Sequence, residues 1–223
     1  MSDLYLSEET PAQRRYEGLS LRRTVEPPID PVTSAEVKTA LKIYESGDDA
    51  DLALLIASAR IWAETYTNLG FIDQTWEQTQ DRANDEYKLR RGPVLSIGKI
   101  EYIASMDADT KVLVAATGYT FSGRRVRTRS TWPSHRGFGS WITTFAVGYY
   151  DLPTVNPEGS YAAARAAVPE PIRRAIIQLV GHLYENREGQ GGEAKYEVLA
   201  KAQGLMPPNV KLLLDPYVNR SLT

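Results

Sequence analysis

The sequence has no cysteine, which excludes disulfides, thiolate zinc sites, iron–sulfur clusters and a cysteine nucleophile. It has two histidines, His135 and His182, far apart along the chain. A histidine-rich metal site within one chain is therefore excluded, although a carboxylate site is not. No run approaches the roughly 20 apolar residues that span a bilayer. The first thirty residues also lack the apolar stretch of a signal peptide, so the expectation is a soluble protein made in the cytoplasm, with no membrane partner. A strong charge of one sign is missing as well. The 26 basic and 28 acidic residues leave a net charge of -2, a balance that argues against a freely nucleic-acid-binding protein. What is present suffices for a core: 223 residues, 42% hydrophobic and 24% charged, fit one domain of ordinary size or one domain with an insertion.

Residues 1–31 carry few aliphatic side chains. They hold two arginine pairs, Arg14–Arg15 and Arg22–Arg23, and end in Glu26-Pro27-Pro28-Ile29-Asp30-Pro31. The prolines favour extended backbone, and the segment reads as an extended N-terminal arm. It is either a solvated tail or an arm that orders on a neighbouring subunit, with the four arginines as its contacts. Thr33 and Glu36 then have the spacing of a capping box, which predicts a helix with Val37, Ala40 and Leu41 inward and Gly47 as its breaker. A longer helix follows from Asp48. Asp48, Asp49 and Asp51 suit the positive end of its dipole, and Leu52, Leu55, Ile56, Ala59, Trp62, Ala63 and Tyr66 recur at helical spacing. Asn68 and Gly70 supply the stop.

The pattern then changes to period two. Strands are expected over Thr75–Gln80, over Leu95–Ile103 with a bulge at Gly98, and over Val112–Val114, Tyr119–Phe121 and Arg125–Arg129. A last one carries Trp141, Thr143, Phe145, Val147 and Tyr149 on one face. Helix returns near Pro169, with Ile172, Ala175, Ile176, Leu179, Val180 and Leu183 as its buried stripe. The glycines at 189–192 read as a loop, 193–203 as a shorter helix, and Pro207-Pro208 as the opening of a last short turn. The fold class is α+β: a helical bundle built from two flanking helical halves, with a small antiparallel β insertion. Residues 32–70 and 168–216 would form the helical core, 71–150 the insertion and 217–223 a C-terminal tail.

No catalytic signature holds. Gly137-Phe138-Gly139-Ser140 resembles a glycine-rich loop but precedes a strand rather than opening a helix, so it is a poor phosphate cradle. His135 lies in a turn expected to be solvent-exposed, and His182 lies beside an apolar stripe. No catalytic residue, metal or cofactor is expected. The charge distribution is more informative. Between Asp109 and Asp151 there is no acidic residue, while Lys111, Arg124, Arg125, Arg127, Arg129 and Arg136 fall in the same window. Arg125, Arg127 and Arg129 alternate and so share one face of a strand. The stripe is either a solvated edge strand whose charges oppose aggregation or a basic surface for DNA or an acidic partner.

Two stretches carry a resemblance when taken in order. The first runs from Pro31-Val32-Thr33-Ser34-Ala35-Glu36-Val37-Lys38 through Ala57-Ser58-Ala59-Arg60-Ile61-Trp62-Ala63-Glu64-Thr65-Tyr66 to Gln74-Thr75-Trp76. The second holds Val168-Pro169-Glu170-Pro171-Ile172-Arg173-Arg174 and His182-Leu183-Tyr184-Glu185-Asn186. Together, over about residues 31–216, they resemble the phage head–tail connector family, the adaptor proteins that dock beneath the portal. The resemblance implies a helical core assembled as a ring of about twelve copies. It implies contact with the portal above and a stopper or tail-completion protein below, around a channel that DNA traverses. The chain would be a non-enzymatic virion component of the head–tail interface, assembled in the host bacterial cytoplasm. It further implies that the C-terminal segment docks on the portal, which in this chain is Leu212, Leu213, Leu214, Pro216 and Tyr217. A stopper or tail-completion ring, or a virion-associated enzyme, is the alternative.

Overall fold

Thr33 and Glu36 make the reciprocal contacts that their spacing predicts. The Thr33 hydroxyl accepts from the Glu36 amide at 3.2 Å, and a Glu36 carboxylate oxygen accepts from the Thr33 amide at 2.7 Å. These satisfy two donors that a helix start otherwise leaves unpaired. Helix α1 (Ser34–Leu41) buries Val37 and ends at Lys42, which adopts the left-handed region at φ 57. It therefore stops before Gly47, which lies outside the described residues. Ala40 is exposed rather than inward. The structure, a computed structural model, describes residues 19–44, 49–105, 110–135, 137–154, 157–185 and 206–218.

Helix α2 (Asp49–Thr67) buries Leu52, Ile56, Ala59 and Ala63 and is terminated by Asn68 at φ 57, a position that asparagine tolerates well. Its buried stripe is rotated from the expected one. Arg60 and Glu64 turn inward, whereas Trp62, Ile61 and Leu54 remain exposed. After the β region, the helices among the described residues are α3 (Tyr161–Ala167), α4 (Glu170–Glu185) and α5 (Pro208–Leu214). Ile172, Ala175, Ile176, Leu179 and Val180 of α4 are all buried. They share one core with Val37, Ile56, Ala63 and Phe71 from the first half and with Val210 and Leu214 near the chain's end. The valine, leucine, isoleucine and phenylalanine side chains among them each contribute about 1.5–3 kcal/mol on leaving water. Neither helical half could form this core alone. Gly181 marks a close approach: a Cβ there would stand 3.0 Å from Leu41 Cδ2. The loop at 189–192 and the helix at 193–203 lie outside the described residues.

In chain order the strands are β1 (Leu19–Val25), β2 (Gln74–Gln80), β3 (Glu86–Lys88), β4 (Val94–Ile103), β5 (Lys111–Leu113), β6 (Tyr119–Ser122), β7 (Arg125–Thr128) and β8 (Trp141–Val147). They form two antiparallel sheets. The larger has the order β1-β2-β8-β4-β5 and the smaller β3-β7-β6. The register of β4 on β8 shifts between Ile97 and Lys99, so the expected bulge sits at Gly98. Trp141, Phe145, Val147, Tyr87, Leu89 and Val126 form a second core between the sheets. Trp141 lies at its centre, with the rings of Trp132 at 4.9 Å and Tyr87 at 6.4 Å.

The second half of the presumed arm is β1, which pairs with β2 from Leu19↔Gln80 to Val25↔Thr75. Its polarity does not alternate cleanly, because Arg22, Arg23 and Thr24 follow in succession after Leu19 and Leu21. The architecture is α+β, a helical bundle carrying an antiparallel β insertion, and β1 joins that insertion from outside it in sequence.

Candidate functional site

Strand β7 is the middle strand of the smaller sheet, not an edge. Val126 and Thr128 point into the core, so Arg125 and Arg127 point out, and exposed Arg129 continues their line. Directly opposite residues of an antiparallel pair share a face. Across β3, Lys88 faces Arg125 and Glu86 faces Arg127; across β6, Ser122 faces Arg125 and Thr120 faces Arg127. The outer face of this sheet therefore carries Lys88, Arg125, Arg127 and Arg129 against one carboxylate, Glu86. Two hydroxyls, Thr120 and Ser122, complete it, and all these residues are exposed. Arg125 pairs with Glu86 at 3.3 Å, and Arg129 Nε donates to the Tyr119 carbonyl at 3.1 Å. Arg124 does not join the face. It is half-buried at the β6–β7 hairpin, and burial followed by the Arg90 charge lowers its pKa.

The C-terminal candidates divide. Leu214 is fully buried, and Leu213 and Tyr217 pack partly against the same core. They help hold α5 in place, and Leu214 alone has no surface left for a partner. Leu212, 75% exposed, and exposed Pro216 remain outward, beside an open concavity bounded by Leu212, Asp215, Pro216 and Val218. The reason is helical spacing: Val210 and Leu214 are four apart and face the core, whereas Leu212 lies on the opposite side.

The arm arginines divide too. Arg14 and Arg15 lie outside the described residues. Arg22 pairs with Glu77 of the neighbouring strand at 2.9 Å, and Arg23 enters a buried hub that sequence reasoning missed. At its centre is Glu64, 1% exposed. One carboxylate oxygen accepts from the Gln74 side chain at 2.7 Å and the Phe71 amide at 3.2 Å. The other accepts from Arg60 at 3.2 Å, with Arg23 at 3.9 Å. Arg60 also donates to Asp30 at 2.7 Å. Arg91 donates to the Glu64 carbonyl at 2.6 Å. The guanidinium groups of Arg91 and Arg23 lie 4.6 and 5.1 Å from the Trp76 ring centre, within cation–π range. Burial pulls the Arg91 pKa down, against the favourable pull of Glu64. The hub ties α2, β1, β2 and the segment before β4 into one unit. Its only sequence signal is Arg60 and Glu64 four apart on a helix, which reads equally well as a surface pair.

The remaining candidates have structural roles. His135 is half-buried, its ring 5.5 Å from Trp141, rather than exposed in a free turn. In the glycine-rich loop the Gly139 amide donates to Asp81 at 2.7 Å, so a carboxylate already occupies the donor an anion would need. No group of three or more metal-ligating side chains occurs among the described residues.

No protein-family model matches the sequence, and no curated protein matches it. Solved structures do. A chain in the neck of an empty GTA particle, computed with C6 symmetry, is 20% identical with a TM-score of 0.66, over 89% of this chain and 94% of that one. The neck of the native particle, computed with C12 symmetry, gives 20% identity and 0.63 over the same shares. The virion of the native gene transfer agent (GTA) particle gives 19% and 0.64 over 88% and 94%. At this identity the likeness is one of fold, and it spans the helical core and the β insertion together: this chain shares its fold with a chain of the gene transfer agent neck.

Proposed function

We propose that this chain is a structural subunit of the neck of a tailed phage or phage-like particle. It acts as an adaptor that docks beneath the portal, closes into a ring of its own copies around the DNA channel, and joins head to tail without catalysis. The observation that carries this reading is the fold likeness over nine-tenths of both chains. A local motif could recur by chance in unrelated proteins, but a helical core interrupted by a two-sheet insertion, matched over 89% of this chain and 94% of that one, is a whole architecture. Fold alone does not dictate function, so the reading also rests on surfaces suited to the role. The exposed Leu212 and Pro216 beside their concavity suit docking on the portal. The buried Val210 and Leu214 hold that docking segment rigid, which lowers the entropy lost on binding.

The test is removal of the gene from the producing strain, with electron microscopy of the lysate. The expected result is filled heads and separate tails, rejoined when the purified chain is added back. Normally joined particles made without the chain would refute the proposal.

A further inference from the structure

We infer that the outer face of the β3-β7-β6 sheet binds the phosphate backbone of DNA without regard to sequence. This deepens the neck reading and rests on it for its biological setting, although the chemistry stands on the surface itself. Lys88, Arg125, Arg127 and Arg129 face outward around the single carboxylate of Glu86. The hydroxyls of Thr120 and Ser122 lie on the same face, directly opposite Arg127 and Arg125. Arginine, lysine, serine and threonine are the side chains that contact phosphate oxygens. Alternate strand residues stand about 6.8 Å apart, so Arg125 and Arg127 are spaced much as neighbouring phosphates along one strand, with exposed Arg129 just beyond the end of β7.

The composition of the face decides between two kinds of partner. A protein interface needs apolar anchors at its centre and is depleted of charge there. Its strands' apolar and aromatic residues, Val126, Tyr87, Tyr119 and Phe121, alternate to the other side, although Phe121 stays 38% exposed there. At one end, beside the β6–β7 hairpin, an open concavity is bounded by Lys88, Ser122, Gly123, Arg124 and Arg125. Gly123 has φ +56 there and no atom within 4 Å of where a Cβ would be, so the backbone itself is open to a ligand. A near-neutral chain that sets four cations beside the carboxylate of Glu86 on one face holds a local field there above what its net charge implies.

The experiment uses the full chain and a short mixed-sequence DNA duplex, with the binding constant measured across a series of salt concentrations. Each phosphate neutralised contributes about −0.9 to the slope of log K against log salt. Replacing Arg125, Arg127 and Arg129 together by Gln should weaken binding equally for all sequences and make the slope shallower by about 2–3. A second variant, Thr120→Glu with Ser122→Glu, leaves the arginines in place and should weaken binding too. Arg174→Gln, on the exposed side of α4, should change neither quantity. Unchanged affinity and slope in both face variants would overturn the inference, as would a wild-type chain that binds no DNA at low salt. If the arginine variant binds DNA normally but fails to join heads to tails, the face meets an acidic protein instead, and the inference is likewise lost. The neck reading fails separately, by the gene-deletion test. A chain that binds DNA as described while the deletion strain makes joined particles would keep this inference and lose that one.

Discussion

Glu64 is where the two structural parts of the molecule meet, and its replacement by alanine should be among the costliest single changes in the chain. The side chain is buried and accepts from Arg60, Gln74 and the Phe71 amide. Alanine leaves the Gln74 amide and the Phe71 amide without acceptors, at about 1–3 kcal/mol each for an orphaned buried donor. It also strips Arg60 of one of its two carboxylates. Asp30 still accepts from Arg60 at 2.7 Å, so the guanidinium is not abandoned, and the total should fall at about 3–5 kcal/mol. Glu64→Gln retains one acceptor oxygen for Phe71 and Gln74 but sets an NH2 donor against the Arg60 guanidinium, so about 1.5–3 kcal/mol is expected. Glu77→Gln is the control. Glu77 also binds an arginine, but Arg22 is 70% exposed, and such pairs contribute about 0–1 kcal/mol. The assay is equilibrium urea unfolding followed by both tryptophan fluorescence and circular dichroism, since coincident transitions are needed before a free energy is assigned. A double-mutant cycle with Arg60→Met should give a coupling of the same sign and similar size to the Glu64→Gln loss. If Glu64→Ala lies within about 1 kcal/mol of wild type, the hub does not hold the insertion to the helices and the reasoning fails.

Two further outcomes separate the C-terminal leucines and fix a pH dependence. Leu214→Ala should cost about 2–5 kcal/mol in the same unfolding assay, whereas Leu212→Ala should stay within about 0.5 kcal/mol and lose affinity for the portal in co-purification. The reverse pattern would mean that α5 is packed the other way round. Burial pushes the Tyr87 hydroxyl up to about 12, only partly offset by its hydrogen bond with Thr143. Because the folded state favours the neutral phenol, this contribution is intact below pH 10 and is lost as pH rises towards 12. It amounts to at most about 2–3 kcal/mol. Tyr87→Phe should lessen that alkaline decline, to which Tyr149, also pushed up to about 12 by burial, contributes separately, and an unchanged profile would refute the assignment.

Periodicity and local chemistry were enough to read the two helices before the β region, most of its strands, the Thr33–Glu36 cap, the bulge at Gly98 and most of the buried stripe of α4, but not β1, β3 or α3. Each rests on contacts within a few residues, which any window of sequence displays. The likeness to neck structures bears on the α+β architecture, and that architecture follows from a hydrophobic period that changes from 3.6 to 2 and back. Tertiary structure decided what such windows cannot hold. Whether Leu19–Val25 is an arm or a strand depends on β2, some fifty residues away, offering an unpaired edge. Whether Trp62 or Arg60 turns inward depends on Asp30 and Gln74 being present to receive Arg60 and Glu64, because burying those charges without partners would cost more than leaving a tryptophan half-exposed. The three-residue β3 was too short to show any period, and with it Lys88 escaped notice. The arginine stripe was legible as alternation, but its neighbours across the sheet were not. Which residues share a face with Arg125 and Arg127 is set by strand register, and register comes from long-range pairing rather than from the segment itself.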